Sequence, residues 1–132
     1  MFDTKTRVLV VEDMPSVRKL IVKLCKELGF LDISEAQEGA LGWQAITDAS
    51  PAFGLILSDA VMPVCSGLDL LKRIRGDSRY LKLPFVLITT EAEQEPLAEA
   101  MRIGANCCMT KPFTTEILRQ KLEQAHSRHK GQ

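Results

Sequence analysis

The chain has 132 residues, with 17 Lys and Arg against 17 Asp and Glu, and it is 45% hydrophobic and 26% charged. That length supports one domain with a core needing no staples. The balanced charge excludes the basic footprint of a general nucleic-acid binder, and no apolar run approaches the roughly 18 residues that span a bilayer.

Strand-like and helical segments alternate along the chain. A first strand is expected over Arg7–Val11, a continuous apolar run of the kind buried on both faces, and it stops at Glu12-Asp13. A helix follows, with Met14, Val17, Leu20, Ile21, Leu24, Cys25 and Leu28 on one inward stripe. Pro15 suits its first turn and Gly29 its end. Leu31–Ala36 reads as a short second strand. Gly39–Ala49 reads as a second helix facing inward through Ala40, Trp43 and Ile46, and Ser50-Pro51 breaks it. The third strand, Gly54–Ser58, stops at Asp59. The third helix, Gly67–Arg75, points Leu68, Leu71 and Ile74 inward. The fourth strand, Phe85–Ile88, stops at Thr89. A fourth helix over Pro96–Ile103 buries Leu97, Ala100 and Met101, with Gly104 as its stop. The fifth strand centres on Cys107–Met109 and runs out at Lys111-Pro112. Thr114 or Thr115 caps a fifth helix that buries Leu118, Leu122 and Ala125, and a frayed tail is expected from Ser127.

Five strand–helix units predict an α/β fold: a flavodoxin-like (βα)5 three-layer sandwich around a five-stranded parallel sheet. Order 2-1-3-4-5 is a common arrangement of doubly wound sheets. In it the first and third strands flank the crevice where ligands bind, and they deliver Glu12, Asp13 and Asp59 there.

Each of these residues admits an ordinary role. Glu12 and Asp13 suit the cap of the following helix, Asp59 a turn before Met62-Pro63, Thr89 a β-branched strand end and Lys111 a surface charge. Together they also form a phosphoryl-transfer set. Glu12 and Asp13 can hold a hard divalent cation such as Mg²⁺, and Asp59 can attack phosphorus to form an acyl phosphate. The Thr89 hydroxyl and Lys111 ammonium can bond phosphoryl oxygens. A cis Lys111-Pro112 bond would fix the direction of the ammonium. The four cysteines, Cys25, Cys65, Cys107 and Cys108, form no C-x-x-C pair and have no neighbouring His, so a zinc site is not indicated. Their number without a framework fits a reducing compartment. Cys25 reads as a core residue.

The motifs VLVVED, LILSDAVMP followed by SGLDLL, VLITTEAE, and MTKPFT resemble the receiver domain of two-component response regulators, and most of all its single-domain chemotaxis type. The likeness covers about residues 5–126. It implies that Asp59 accepts a phosphoryl group from a histidine kinase. It implies that Glu12, Asp13, Asp59 and the Val61 backbone carbonyl bind Mg²⁺, and that Thr89 and Lys111 contact the phosphoryl group. It further implies a downstream protein partner on the face of the fourth helix, fifth strand and fifth helix. The expected unit is a single receiver domain over residues 1–132 without an output module, a signalling protein rather than an enzyme. It is expected to be cytoplasmic, since MFDTKTR carries no cleavage signal. Oligomeric state stays open, with a monomer as the default.

The chain departs from this pattern at Cys108 and Val61. Cys108 stands where receivers often carry an aromatic switch residue, so no ring can move between exposed and buried rotamers. Val61 and Glu91 occupy positions that flank the phosphoryl site and tune attack by water. An apolar Val61 cannot hydrogen-bond a hydrolytic water, so the lifetime of the acyl phosphate is open. The missing aromatic keeps a phosphorylation-independent binding module as the alternative. A phosphatase lacks a second acid two residues after Asp59, and a flavin protein lacks a phosphate loop after the first strand.

Overall fold

A computed structural model describes residues 2–90 and 94–130. Its elements, in chain order, are β1 (Arg7–Val11), α1 (Pro15–Glu27), β2 (Asp32–Ala36), α2 (Gly39–Asp48), β3 (Leu55–Asp59), α3 (Gly67–Arg75), a 3₁₀ turn (Ser78–Tyr80), β4 (Phe85–Thr90), α4 (Gln94–Ile103), β5 (Cys107–Lys111) and α5 (Thr115–Lys130). The five strands are parallel and ordered β2-β1-β3-β4-β5.

Alternation along the central strands builds two apolar layers. Val8, Val10, Leu55, Leu57, Val86 and Ile88 pack with Ile21, Leu24 and Cys25 of α1 and Leu118, Leu122 and Ala125 of α5. Leu9, Val11, Ile56, Phe85 and Leu87 pack with Ile46 of α2, Leu70, Leu71 and Ile74 of α3, and Ala100 of α4. Cys25 is a core residue, and burial pushes its thiol up to about 12. None of the four cysteines is in a disulfide.

The half-buried Arg75 fastens the end of the sheet where β4 and β5 begin. Its Nε donates to Gly104 O at 3.0 Å, Nη1 to Tyr80 O at 3.0 Å and Nη2 to Asn106 Oδ1 at 3.0 Å. Asn106 Oδ1 also accepts from Phe85 N.

Several expectations need correction. Met14 and Leu20 are exposed rather than inward. Met14 is the N-cap, outside the helical turn, and Leu20 faces away from the sheet toward Pro112 and Phe113. Arg18 takes a buried place on α1 instead. Met101 is exposed, because Ala100 beside it occupies the inward position. β4 and β5 run on through Thr90 and Lys111, pairing Thr89 with Thr110 and Thr90 with Lys111, since backbone ladders are indifferent to side-chain polarity. Leu31 is exposed outside β2. α4 starts at Gln94, so Pro96 falls in the first turn, where N–H groups have no intrahelical partner. Thr114, not Thr115, caps α5 by accepting from Ile117 N, and α5 continues to Lys130 rather than fraying at Ser127.

Candidate functional site

Strands β1, β3 and β5 all end at one rim of the sheet, where Glu12 and Asp13, just past β1, meet Asp59 and Lys111, the last residues of β3 and β5. Lys111 Nζ lies 2.7 Å from Glu12 Oε1 and 2.9 Å from Asp59 Oδ1, bridging the two carboxylates. Carboxylate oxygens of Glu12, Asp13 and Asp59 lie within 4.8 Å of one another. Glu12 is wholly buried and Asp59 nearly so, while Asp13 reaches further toward solvent. The Lys111–Pro112 peptide is cis. The Lys111 stem borders an apolar cavity of about 170 Å³ with Val17, Leu20, Ile21, Pro112 and Phe113.

This is a site with an excess of negative charge. Burial pushes the Glu12 carboxyl above its ordinary value; the Lys111 hydrogen bond opposes that rise, while Asp13 and Asp59 add to it. Burial works against the Lys111 ammonium, but hydrogen bonds to Glu12 and Asp59 and their charges outweigh it and raise its pKa. One ammonium, paired with two of the three clustered carboxylates, leaves the cluster short of positive charge. Three hard oxygen donors so placed fit a small divalent cation such as Mg²⁺, which takes carboxylates and otherwise keeps water.

The helix-capping role for Glu12 and Asp13 does not hold. The N-cap of α1 is Met14, without a side-chain capping bond, and Glu12 Oε2 instead accepts from Met14 N at 3.2 Å. Asp59 is the last residue of β3 rather than part of a turn. Thr89 is buried inside β4, one residue beyond the register partner of Asp59, on the face shared with Leu87 and Cys108. Cys108 packs against the layer that includes Ala100 of α4. Val61 lies in the loop after β3 with its side chain exposed. Glu91 lies outside the described residues.

Two positioning residues were not singled out from the sequence. A Cβ on Gly67 would sit 2.0 Å from the Asp59 carbonyl oxygen, so only glycine lets α3 start this close to the end of β3. Its presence in SGLDLL was the available signal. Arg18 Nη1 donates to Glu12 O at 2.8 Å. A basic residue between Val17 and Ile21, inside an apolar stripe, was the signal there.

Comparison with known proteins agrees with this geometry. The profile of the response regulator receiver domain matches residues 8–123. Chemotaxis protein CheY1 of Helicobacter pylori is 37% identical over 117 residues, covering 89% of this chain and 94% of that protein. Chemotaxis protein CheY of Pseudomonas aeruginosa is 33% identical over 125 residues, covering 95% and 99%. The solved structure of Vibrio cholerae chemotaxis protein CheY4 superposes with a TM-score of 0.81 at 30% identity, covering 92% and 98%. Among the described residues no helix is long and apolar enough to cross a membrane.

Proposed function

The chain belongs to the response regulator receiver family, and from that premise we propose that Asp59 accepts a phosphoryl group from a histidine kinase. The observation that carries this reading is the Lys111 bridge between Glu12 and Asp59 inside the three-carboxylate cluster. An Asp59 carboxylate oxygen attacks phosphorus in line with the phosphohistidine nitrogen; the O–P bond forms as the N–P bond breaks, and the imidazole leaves. Glu12, Asp13, Asp59 and the Val61 carbonyl are the residues that would hold Mg²⁺. Once bound, the ion offsets the charge gathered on the carboxylates and the phosphoryl oxygens.

The chain's own groups supply the rest. Lys111 is already within hydrogen-bond distance of Asp59 Oδ1. It exchanges this carboxylate for a phosphoryl oxygen as a point cation. Thr89 approaches the phosphoryl group through its hydroxyl. Phosphate brings charge and three acceptors, and it biases a pre-existing equilibrium toward an active surface made of α4, β5 and α5. With Cys108 in place of a ring, that bias travels through Thr89 and the packing of β5 against α4. The downstream target is a protein, and the chain acts as a monomeric cytoplasmic signal carrier.

The test is Mg²⁺-dependent labelling by a small phosphodonor. The native protein is expected to gain one phosphoryl group and Asp59→Asn none. Undiminished labelling of Asp59→Asn would overturn the reading.

A further inference from the structure

We propose that Arg18 is a positioning residue for the cation site, locking the Glu12–Asp13 turn through the Glu12 carbonyl and itself held by Glu35. This rests on the reading of Glu12, Asp13 and Asp59 as a divalent-cation site.

The turn from β1 into α1 lacks the usual means of fixing its shape. Its N-cap, Met14, makes no side-chain capping bond, the first turn carries no acidic residue, and Pro15 has no N–H to offer. Yet Glu12 is wholly buried, so both its backbone groups need partners. Glu12 N donates to Ala36 O at 3.0 Å at the end of β2. Arg18 Nη1, from one turn into α1, donates to Glu12 O at 2.8 Å. Arg18 Nε in turn lies 3.0 Å from Glu35 Oε1, on the last full step of β2. The guanidinium is nearly buried while the carboxylate of Glu35 is half open to solvent. One side chain thus ties β1, α1 and β2 together at the residue whose own carboxylate faces Lys111.

The bonded atom distinguishes positioning from charge compensation. Arg18 bonds the main-chain oxygen of Glu12, not its carboxylate, whose Oε1 and Oε2 accept from Lys111 and Met14 N. Removing a buried cation near three carboxylates would, on charge alone, tighten cation binding. Removing a clamp that presents them would weaken it. The planar fork also matters: two nitrogens of one guanidinium serve Glu12 O and Glu35 at once, a geometry that a lysine ammonium cannot copy.

The experiment is a titration of ¹⁵N-labelled protein with MgCl₂, following backbone amide shifts at the ends of β1 and β3. Groups that orient metal ligands typically contribute 10–100-fold to affinity. Arg18→Met is expected to weaken Mg²⁺ binding about tenfold, and Arg18→Lys to resemble Arg18→Met rather than the native protein. Glu35→Gln, which alters only the solvent-facing end of the clamp, is expected to give a smaller loss in the same direction and serves where Arg18→Met does not fold. Unchanged or tighter binding in Arg18→Met overturns the proposal, as does native affinity in Arg18→Lys. Where Arg18→Met does not fold, unchanged binding in Glu35→Gln overturns it. A native protein that shows no Mg²⁺-dependent shifts overturns the cation-site reading and this inference with it.

Discussion

Two half-buried cations stand at opposite ends of the same sheet and are held in opposite ways. Arg75, where β4 and β5 begin, donates to three neutral oxygens: Gly104 O, Tyr80 O and Asn106 Oδ1. Its partners come from the turn after α4, the 3₁₀ turn and the residue preceding β5, so each bond joins different elements. Lys111, where β5 ends, sits between the carboxylates of Glu12 and Asp59, and an Asp13 oxygen lies within 4.8 Å of theirs. In the first arrangement the guanidinium meets only neutral oxygens, and burial lowers its pKa. The second has too much negative charge for one ammonium, and a further cation would relieve it. The two cations differ in the charge of their acceptors rather than in their burial.

That distinction can be broken by mutation. The largest effect is expected from Gly67→Ala, which forces a methyl group against the Asp59 carbonyl. Overpacking against backbone should cost about 3 kcal/mol, read by urea denaturation, and should also weaken Mg²⁺ binding because the end of β3 must move. Arg75→Met comes next. It strips three hydrogen bonds from buried or half-buried oxygens, a loss of about 2 kcal/mol, and the folded fraction should bind Mg²⁺ as the native protein does. A matching loss of Mg²⁺ affinity would erase the contrast between the two ends.

Lys111→Met should lose a similar amount, about 2 kcal/mol in metal-free buffer, because Glu12 and Asp59 are left facing each other. Added MgCl₂ should restore that stability, since a ligand that binds only the folded state stabilises it. It should restore nothing to Arg75→Met beyond what it adds to the native protein. Parallel urea curves with and without Mg²⁺ check both.

The last test, silent at neutral pH, concerns the apolar layer beneath α1. The folded-state pKa of Cys25 is raised to about 12 from 9.0, by burial. For a raised value, its contribution to stability is fully present below 9.0 and is lost as pH rises toward 12. Cys25→Ser should flatten the alkaline limb of the stability curve in that window, and the native thiol should resist a water-soluble thiol reagent at neutral pH.

Much of this layout was legible in the sequence. Val8–Val11, Leu55–Leu57 and Phe85–Ile88 are apolar on both faces, which only a doubly covered sheet explains, and the strand order brings the ends of β1 and β3 side by side. Glu12, Asp13, Asp59 and Lys111 were found by where their strands stop. The less legible parts depend on neighbours distant in sequence. Periodicity treats Arg18 as an interruption of a stripe, because its partners Glu12 O and Glu35 lie on other elements. The constraint on Gly67 exists only because α3 begins against the carbonyl of Asp59. Pattern alone buries Met14 and Leu20, yet Met14 is the N-cap outside the helical turn and Leu20 faces Pro112 and Phe113. Cys108 reads from the sequence only as a position without a ring; its contact with the layer beneath α4 depends on the fold.

The central claim is that this pocket stores a phosphoryl group on one particular carboxylate. The most direct measurement treats the protein with a small phosphodonor and Mg²⁺, reduces the product with borohydride, which converts an aspartyl phosphate to homoserine, and maps the modified residue by peptide mass spectrometry. The account predicts homoserine at position 59 and nowhere else, dependent on Mg²⁺. Homoserine at position 13, or no modification at all, would contradict it.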